Sequence, residues 1–206
     1  MSLRIAILVF DGAEELDFVG PWEVFTMANE VAKRAGDEAP HEVFLVAEHD
    51  RAIACAKGMR VVADTTLADC RPIDVLLVPG GQGTRREVEN TALLGWIAAV
   101  AEGAKWMTSV CTGALLLTAA GPARGKRVTT HWAFVETLKA RGEAAEVLTD
   151  YRYVRDGNVV TAAGVSAGID MALWLVGEWH GADFARRVQR AMEYDPAPPY
   201  QGLTGK

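Results

Sequence analysis

Cys111 stands in Thr108-Ser109-Val110-Cys111-Thr112-Gly113-Ala114, where an apolar run gives way to small residues. A strand meeting a helix at that point pushes the cysteine out at the carboxyl edge of a sheet, the edge where open α/β sheets bind ligands. Gly113 permits the tight packing that a strained strand-to-helix elbow needs. The N–H groups and partial positive charge at the start of the following helix favour thiolate over thiol, so the setting predicts a reactive nucleophile. The plain alternative is a small buried core residue. That alternative is the expectation for Cys55 and Cys70, which lack such a setting.

Two further groups can serve the same edge. Pro79-Gly80-Gly81 ends a second apolar run. Glycines there let backbone N–H groups come close to a ligand, and the Gly81 and Thr112 N–H groups are candidates for an anion-stabilising hole; a plain glycine turn fits equally well. Leu16-Asp17-Phe18-Val19-Gly20-Pro21 lies just past a first apolar run, so Asp17 shares the edge with Cys111. A partly buried carboxyl beside a thiol has a raised pKa and can pass a proton. Helix capping is the alternative for Asp17, and Glu14 and Glu15 are rival acids. His131, between Thr129-Thr130 and Trp132, reads as a capping histidine before a catalytic base.

The elements that must hold these groups follow from the pattern of apolar runs. Strands are expected at 5–10, 43–47, 74–79 and 105–110, with hairpins over 53–63 and 151–163. Helices are expected from Gly20-Pro21 to about residue 32, with Pro21 at the first helical position, and over 91–102, 112–120, 132–140, 166–179 and 182–192. The tail from Pro196 reads as irregular. Strands alternating with helices predict an α/β fold: a doubly wound, mostly parallel sheet sandwiched by helices, with the nucleophile at a strand-to-helix elbow. No repeat or linker interrupts the chain, so residues 1–206 are expected to form one domain.

Composition narrows the function. A net charge of −6 with no basic run disfavours nucleic acid and anionic membranes as partners, because phosphate binding needs clustered Lys and Arg. The start, Met-Ser-Leu-Arg, has no secretory pattern, and three cysteines without CxxC spacing suit a reducing cytoplasm and give no zinc site. No phosphate-binding glycine motif is present.

Taken together, these residues resemble the ThiJ/PfpI superfamily, the class I glutamine-amidotransferase-like fold, over nearly the whole chain. The likeness is carried by residues 16–21, 74–81 (Asp-Val-Leu-Leu-Val-Pro-Gly-Gly), 108–113, 125–132 (Gly-Lys-Arg-Val-Thr-Thr-His-Trp), 154–158, 163–170 and 193–200. Within the superfamily the stretches are similar to the isonitrile hydratase group. The resemblance implies a flavodoxin-like core, a homodimer, a small-molecule substrate, and no metal or organic cofactor. It maps the nucleophile onto Cys111 and the acid onto Asp17, sets Thr112 to hydrogen-bond near both, and lines the pocket with backbone around Gly81 and Val165. The implied reaction is a lyase reaction, hydration of an isonitrile to an N-substituted formamide. A glyoxalase- or deglycase-like activity on reactive carbonyls is the alternative enzyme, and a non-catalytic ligand- or redox-sensing domain is the alternative outside enzymes. Thr112 stands where protease-like members carry histidine. Residues 20–29 also resemble the sensor domains of AraC-type regulators, but these 206 residues leave no room for a helix-turn-helix segment.

Overall fold

The computed structural model describes residues 2–38 and 40–196. The expected irregular tail beyond Pro196, and with it the last four residues of the 193–200 stretch, lies outside the described residues. In chain order the elements are β1 (Leu3–Leu8), α1 (Glu15–Arg34), β2 (His41–Ala47), β3 (Ile53–Ala54), β4 (Arg60–Val61), β5 (Thr65–Thr66) and β6 (Val75–Val78). They continue as α2 (Thr84–Glu87), α3 (Thr91–Ala101), β7 (Trp106–Val110), α4 (Gly113–Ala120), β8 (Arg127–Val128), a 3-10 turn (Trp132–Phe134) and α5 (Val135–Ala140). The last are β9 (Glu146–Val147), β10 (Tyr153–Asp156), β11 (Val159–Ala162), α6 (Ala167–His180) and α7 (Ala182–Ala191).

Seven strands form one sheet in the order β10-β11-β7-β6-β1-β2-β5, parallel throughout except for β10, which runs antiparallel to β11. The central strands are apolar runs because both faces of a parallel sheet are covered. Ile5, Ile7, Leu76, Leu77 and Met107 are wholly buried. Helices α1, α6 and α7 pack on one another, and α4 packs on α2 and α3, so helices sandwich the sheet. From β1 the chain steps outward to β2 and then back across β1 to β6. That reversal creates a switch point between β1 and β6, and a crevice opens at the carboxyl ends of the strands there.

The first helix departs from expectation. It starts at Glu15, which puts Asp17 in its first turn and Pro21 inside it. Pro21 lies beyond the first turn and has no N–H for the Asp17 carbonyl four residues before it, so the helix runs through it at the cost of one intrahelical bond. The pairing of β3 with β4 gives the expected hairpin around Lys57-Gly58. The short elements α2, β5, β8 and β9 were not foreseen, since two- to four-residue segments carry no usable periodicity.

Candidate active site

The loops after β1, β6 and β7 converge on one spot. Cys111 follows β7 directly and takes a left-handed backbone conformation, φ 57°. A non-glycine residue there is uncommon and strained, as an elbow requires. Three contacts hold it. The Cys111 N–H donates to the Ala162 carbonyl at 3.1 Å. The Thr130 hydroxyl donates to the Cys111 carbonyl at 2.8 Å. Behind it Gly113 lies so close to β6 that a Cβ would stand 2.2 Å from the Val78 carbonyl oxygen. Only a residue without a side chain lets α4 begin there.

Asp17 is completely buried. Its Oδ2 accepts the Gly80 N–H at 2.8 Å. Its Oδ1 has no full hydrogen bond among the described residues, but the Val165 N–H and the Cys111 thiol face the carboxyl closely enough to favour its charged form. Burial outweighs those contacts and, with the nearby Glu14 charge, lifts the Asp17 pKa to about 7. Gly80 makes the approach possible, since a Cβ there would lie 2.5 Å from the Thr112 nitrogen and 2.8 Å from Cys111 Cβ. Val165 also has φ 46°, an outlier for a β-branched residue, which aims its N–H at this carboxyl.

Two expectations need correction. The thiol is not shifted towards thiolate. Burial first, then the Asp17 charge, push the Cys111 pKa up to about 12, against the lowering effect of the Thr112 N–H and hydroxyl. The helix start is real, but Cys111 is only 7 % exposed, and loss of solvation outweighs the partial positive charge of the helix start. The second correction concerns Gly81. Its N–H donates to the Thr112 hydroxyl at 3.0 Å, so it is not free to join Thr112 in an anion hole.

Thr112 is buried, and its hydroxyl is locked between the Gly81 N–H, which it accepts, and the Thr84 hydroxyl oxygen 3.0 Å away, to which it can donate. Thr84 and Thr130 are the supports that the sequence reading missed. Thr84 follows Gly81 by three residues, the spacing at which a threonine hydroxyl bonds back to a turn carbonyl, and it does so at 2.8 Å. His131 caps the 3-10 turn, its Nδ1 accepting the Ala133 N–H at 3.2 Å. Cys55 is buried in the β3–β4 hairpin region, and burial pushes its thiol to about 11. Cys70 precedes β6, at the opposite end of that strand from Gly80.

An open groove of about 770 Å³ reaches Val165 and Thr130 and is walled by His131, Trp132, Tyr151 and Gly164. Trp132 and Tyr151 are 81 % and 57 % exposed, so the groove presents aromatic surface to solvent beside residues that touch the Asp17–Cys111 pair. The pair can therefore hold one proton between an acid and a nucleophile next to a place for an organic group.

Residues 3–178 match the DJ-1/PfpI family. The chain is 40 % identical over 200 residues to the isonitrile hydratase of Pseudomonas putida, covering 97 % of this chain and 82 % of that one. It superposes on a ThiJ/PfpI family protein from Pseudomonas syringae with a TM-score of 0.86 at 33 % identity, covering 98 % of this chain and 78 % of the other. An AraC family transcriptional regulator from Pseudomonas putida shares the fold, with a TM-score of 0.79 at 19 % identity over 92 % of this chain and 99 % of that structure.

Proposed function

Since the chain belongs to the DJ-1/PfpI family, we propose that it is a cysteine-dependent hydratase that converts an isonitrile and water to an N-substituted formamide. One observation carries the reading: a fully buried carboxyl with a pKa near 7 faces the elbow thiol. With both groups pushed up, the pair loses its first proton near neutrality and keeps the second. The working form holds one proton. As substrate arrives, the thiol proton passes to Asp17. The sulfur then bonds to the terminal isonitrile carbon while Asp17 gives its proton to the same carbon, leaving a thioimidate and a carboxylate. Asp17 next takes a proton from water as the hydroxyl adds to that carbon, and passes it to nitrogen. The C–S bond breaks, the hydroxyl proton returns to the pair, and the formamide leaves. One group must both donate and accept, which a carboxyl titrating near the working pH does best. The covalent adduct splits one hard hydration into two easier steps.

The donor inventory favours this over a carbonyl substrate. Attack on a carbonyl builds an oxyanion that needs preorganised N–H donors. Here the Gly80 and Gly81 N–H groups are engaged by Asp17 and Thr112. Attack on an isonitrile asks for a proton at carbon, which Asp17 supplies. The aromatic groove at 129–165 suits the substituent on nitrogen.

The test is direct. Purified protein given an aryl isonitrile yields the N-aryl formamide, with kcat/KM rising through pH about 7 to a plateau. Lactate from methylglyoxal without formamide from any isonitrile would replace this reading with the carbonyl one. The reading also takes the chain as one domain working as a homodimer in the cytoplasm, which sedimentation of the purified protein and fractionation of cells examine. No described helix is long and apolar enough to cross a membrane.

A further inference from the structure

Glu14 is in the loop that leads into Asp17 and is bonded to the same glycine. Its N–H donates to the Gly80 carbonyl at 2.9 Å, while the Gly80 N–H holds Asp17. The Glu14 side chain is only 14 % exposed, and its charge pushes up both Asp17 and Cys111. Lys57, at the tip of the β3–β4 hairpin, pairs its ammonium with Glu14 Oε1. The hairpin is fastened to the same turn by backbone bonds, Ala56 N–H to the Ala13 carbonyl and Gly12 N–H to the Ala54 carbonyl, both at 2.8 Å. Glu15 is turned away from the pair, its Oε1 accepting the Lys57 N–H at 2.7 Å.

Of the other elements around the pair, α2 brings Arg85, whose guanidinium donates to the Gly81 carbonyl at 3.0 Å but shifts neither Asp17 nor Cys111. The end of β6 offers Gly80 and Gly81, the start of α4 offers Thr112, and the β11–α6 connection offers the Val165 N–H. On α6, Asp170 is engaged by Arg152 and Tyr194. Among the described residues, Glu14 is thus the neighbouring acid whose charge raises both members of the pair, and Lys57 is its counterion.

We propose that Lys57 is a positioning residue that tunes the pair from outside the pocket: its ammonium cancels the Glu14 charge beside Asp17 and Cys111, and the Glu14 carboxylate is its main anchor there. Lys57 is 69 % exposed, so without Glu14 it has water to turn to and its field is lost from the site. The hairpin then has a catalytic purpose although it contributes nothing to the reacting atoms. The proposal rests on the reading of Asp17 and Cys111 as a proton-sharing pair, and not on the identity of the substrate.

The experiment follows alkylation of Cys111 by iodoacetamide against pH, read on the Cys111 peptide by mass spectrometry. The first rise in rate marks loss of the pair's first proton. Lys57→Met is expected to move that midpoint up by roughly half a unit to one unit, as an uncompensated like charge near a buried acid does. Lys57→Arg keeps the wild-type midpoint. In a Glu14→Gln background, Lys57→Met adds little, because the ammonium has lost its main anchor and the charge it cancels is gone. An unmoved midpoint in Lys57→Met, or an equal shift in both backgrounds, overturns the proposal. Asp17→Asn separates the two layers: persistence of the first rise in that variant overturns the proton-sharing pair itself, whereas its loss leaves Lys57 alone under test.

Discussion

Among the described residues, two close pairs of titratable groups sit at opposite ends of the sheet, and they behave in opposite ways. At the carboxyl end, Asp17 and Cys111 are both driven to hold protons, and the acid titrates at about 7. At the amino end of β2, His41 faces His180 of α6 with their Nε2 atoms 3.2 Å apart, between Trp179 and Phe184. Burial, then the charge of His180, hold His41 down at about 4. Loss of solvation acts in both places; its sign depends on which form is charged. An acid kept neutral still has a proton to give at neutral pH, while a base kept neutral has only a structural hydrogen bond. The carboxyl end also has strained backbone at Cys111 and Val165 and an open groove beside it. The histidine pair has a cage of rings. Burial of ionisable groups alone therefore does not mark a site.

The sharpest way to break this contrast is to remove the sulfur. Cys111→Ala is expected to bring formamide formation down to the uncatalysed background, and retained turnover in an initial-rate assay would end the nucleophile assignment. Asp17→Asn comes next: kcat should fall by at least about a hundredfold, the usual scale of a lost proton donor and acceptor. The same variant should be more stable than the parent at alkaline pH. The folded state keeps the Asp17 proton between the ordinary 3.8 and about 7, so parent stability falls as pH rises through that window, by an upper limit of roughly 4 kcal/mol. Chemical denaturation at pH 8 and pH 4 reads the gain and its disappearance.

The histidine end predicts the reverse slope. Its folded pKa is depressed, so its contribution is complete above 6.5 and is lost as pH falls towards 4, by about 3 kcal/mol at most. His41→Gln should flatten that acid loss in the same denaturation series. The smallest effect is on chemistry: His41→Gln should leave kcat/KM within about twofold, since a remote neutral hydrogen bond carries no transition-state charge. A tenfold loss there would mean the two ends are coupled.

Much of this architecture is legible in the residues. The runs before Cys111, Gly80 and Asp17 end at one sheet edge because a parallel α/β order leaves no other arrangement. The start of α1 was misplaced because Pro21 reads as a first helical residue, while the helix begins six residues earlier at Glu15. The shift of the thiol was given the wrong direction because sequence spacing shows a helix dipole and does not show solvation. Gly81 was offered as a donor because the pattern cannot reveal that the Thr112 hydroxyl, backed by Thr84, already accepts its N–H. The left-handed Val165 has no sequence signal at all, since a β-branched residue is the last choice for that conformation. Glu14, Lys57 and their salt bridge join residues 43 positions apart, and only the fold brings them together.

Gly113 has a consequence for how this scaffold can change. The spacing between sulfur and acid depends on an atom that is not there, because any Cβ at 113 would strike the Val78 carbonyl oxygen and lift α4 off the sheet. Directed evolution towards bulkier or differently shaped substituents therefore has no freedom at the elbow. It has to work through the outer wall around Trp132 and Tyr151, where side chains already meet water and can be exchanged without moving the reactive groups.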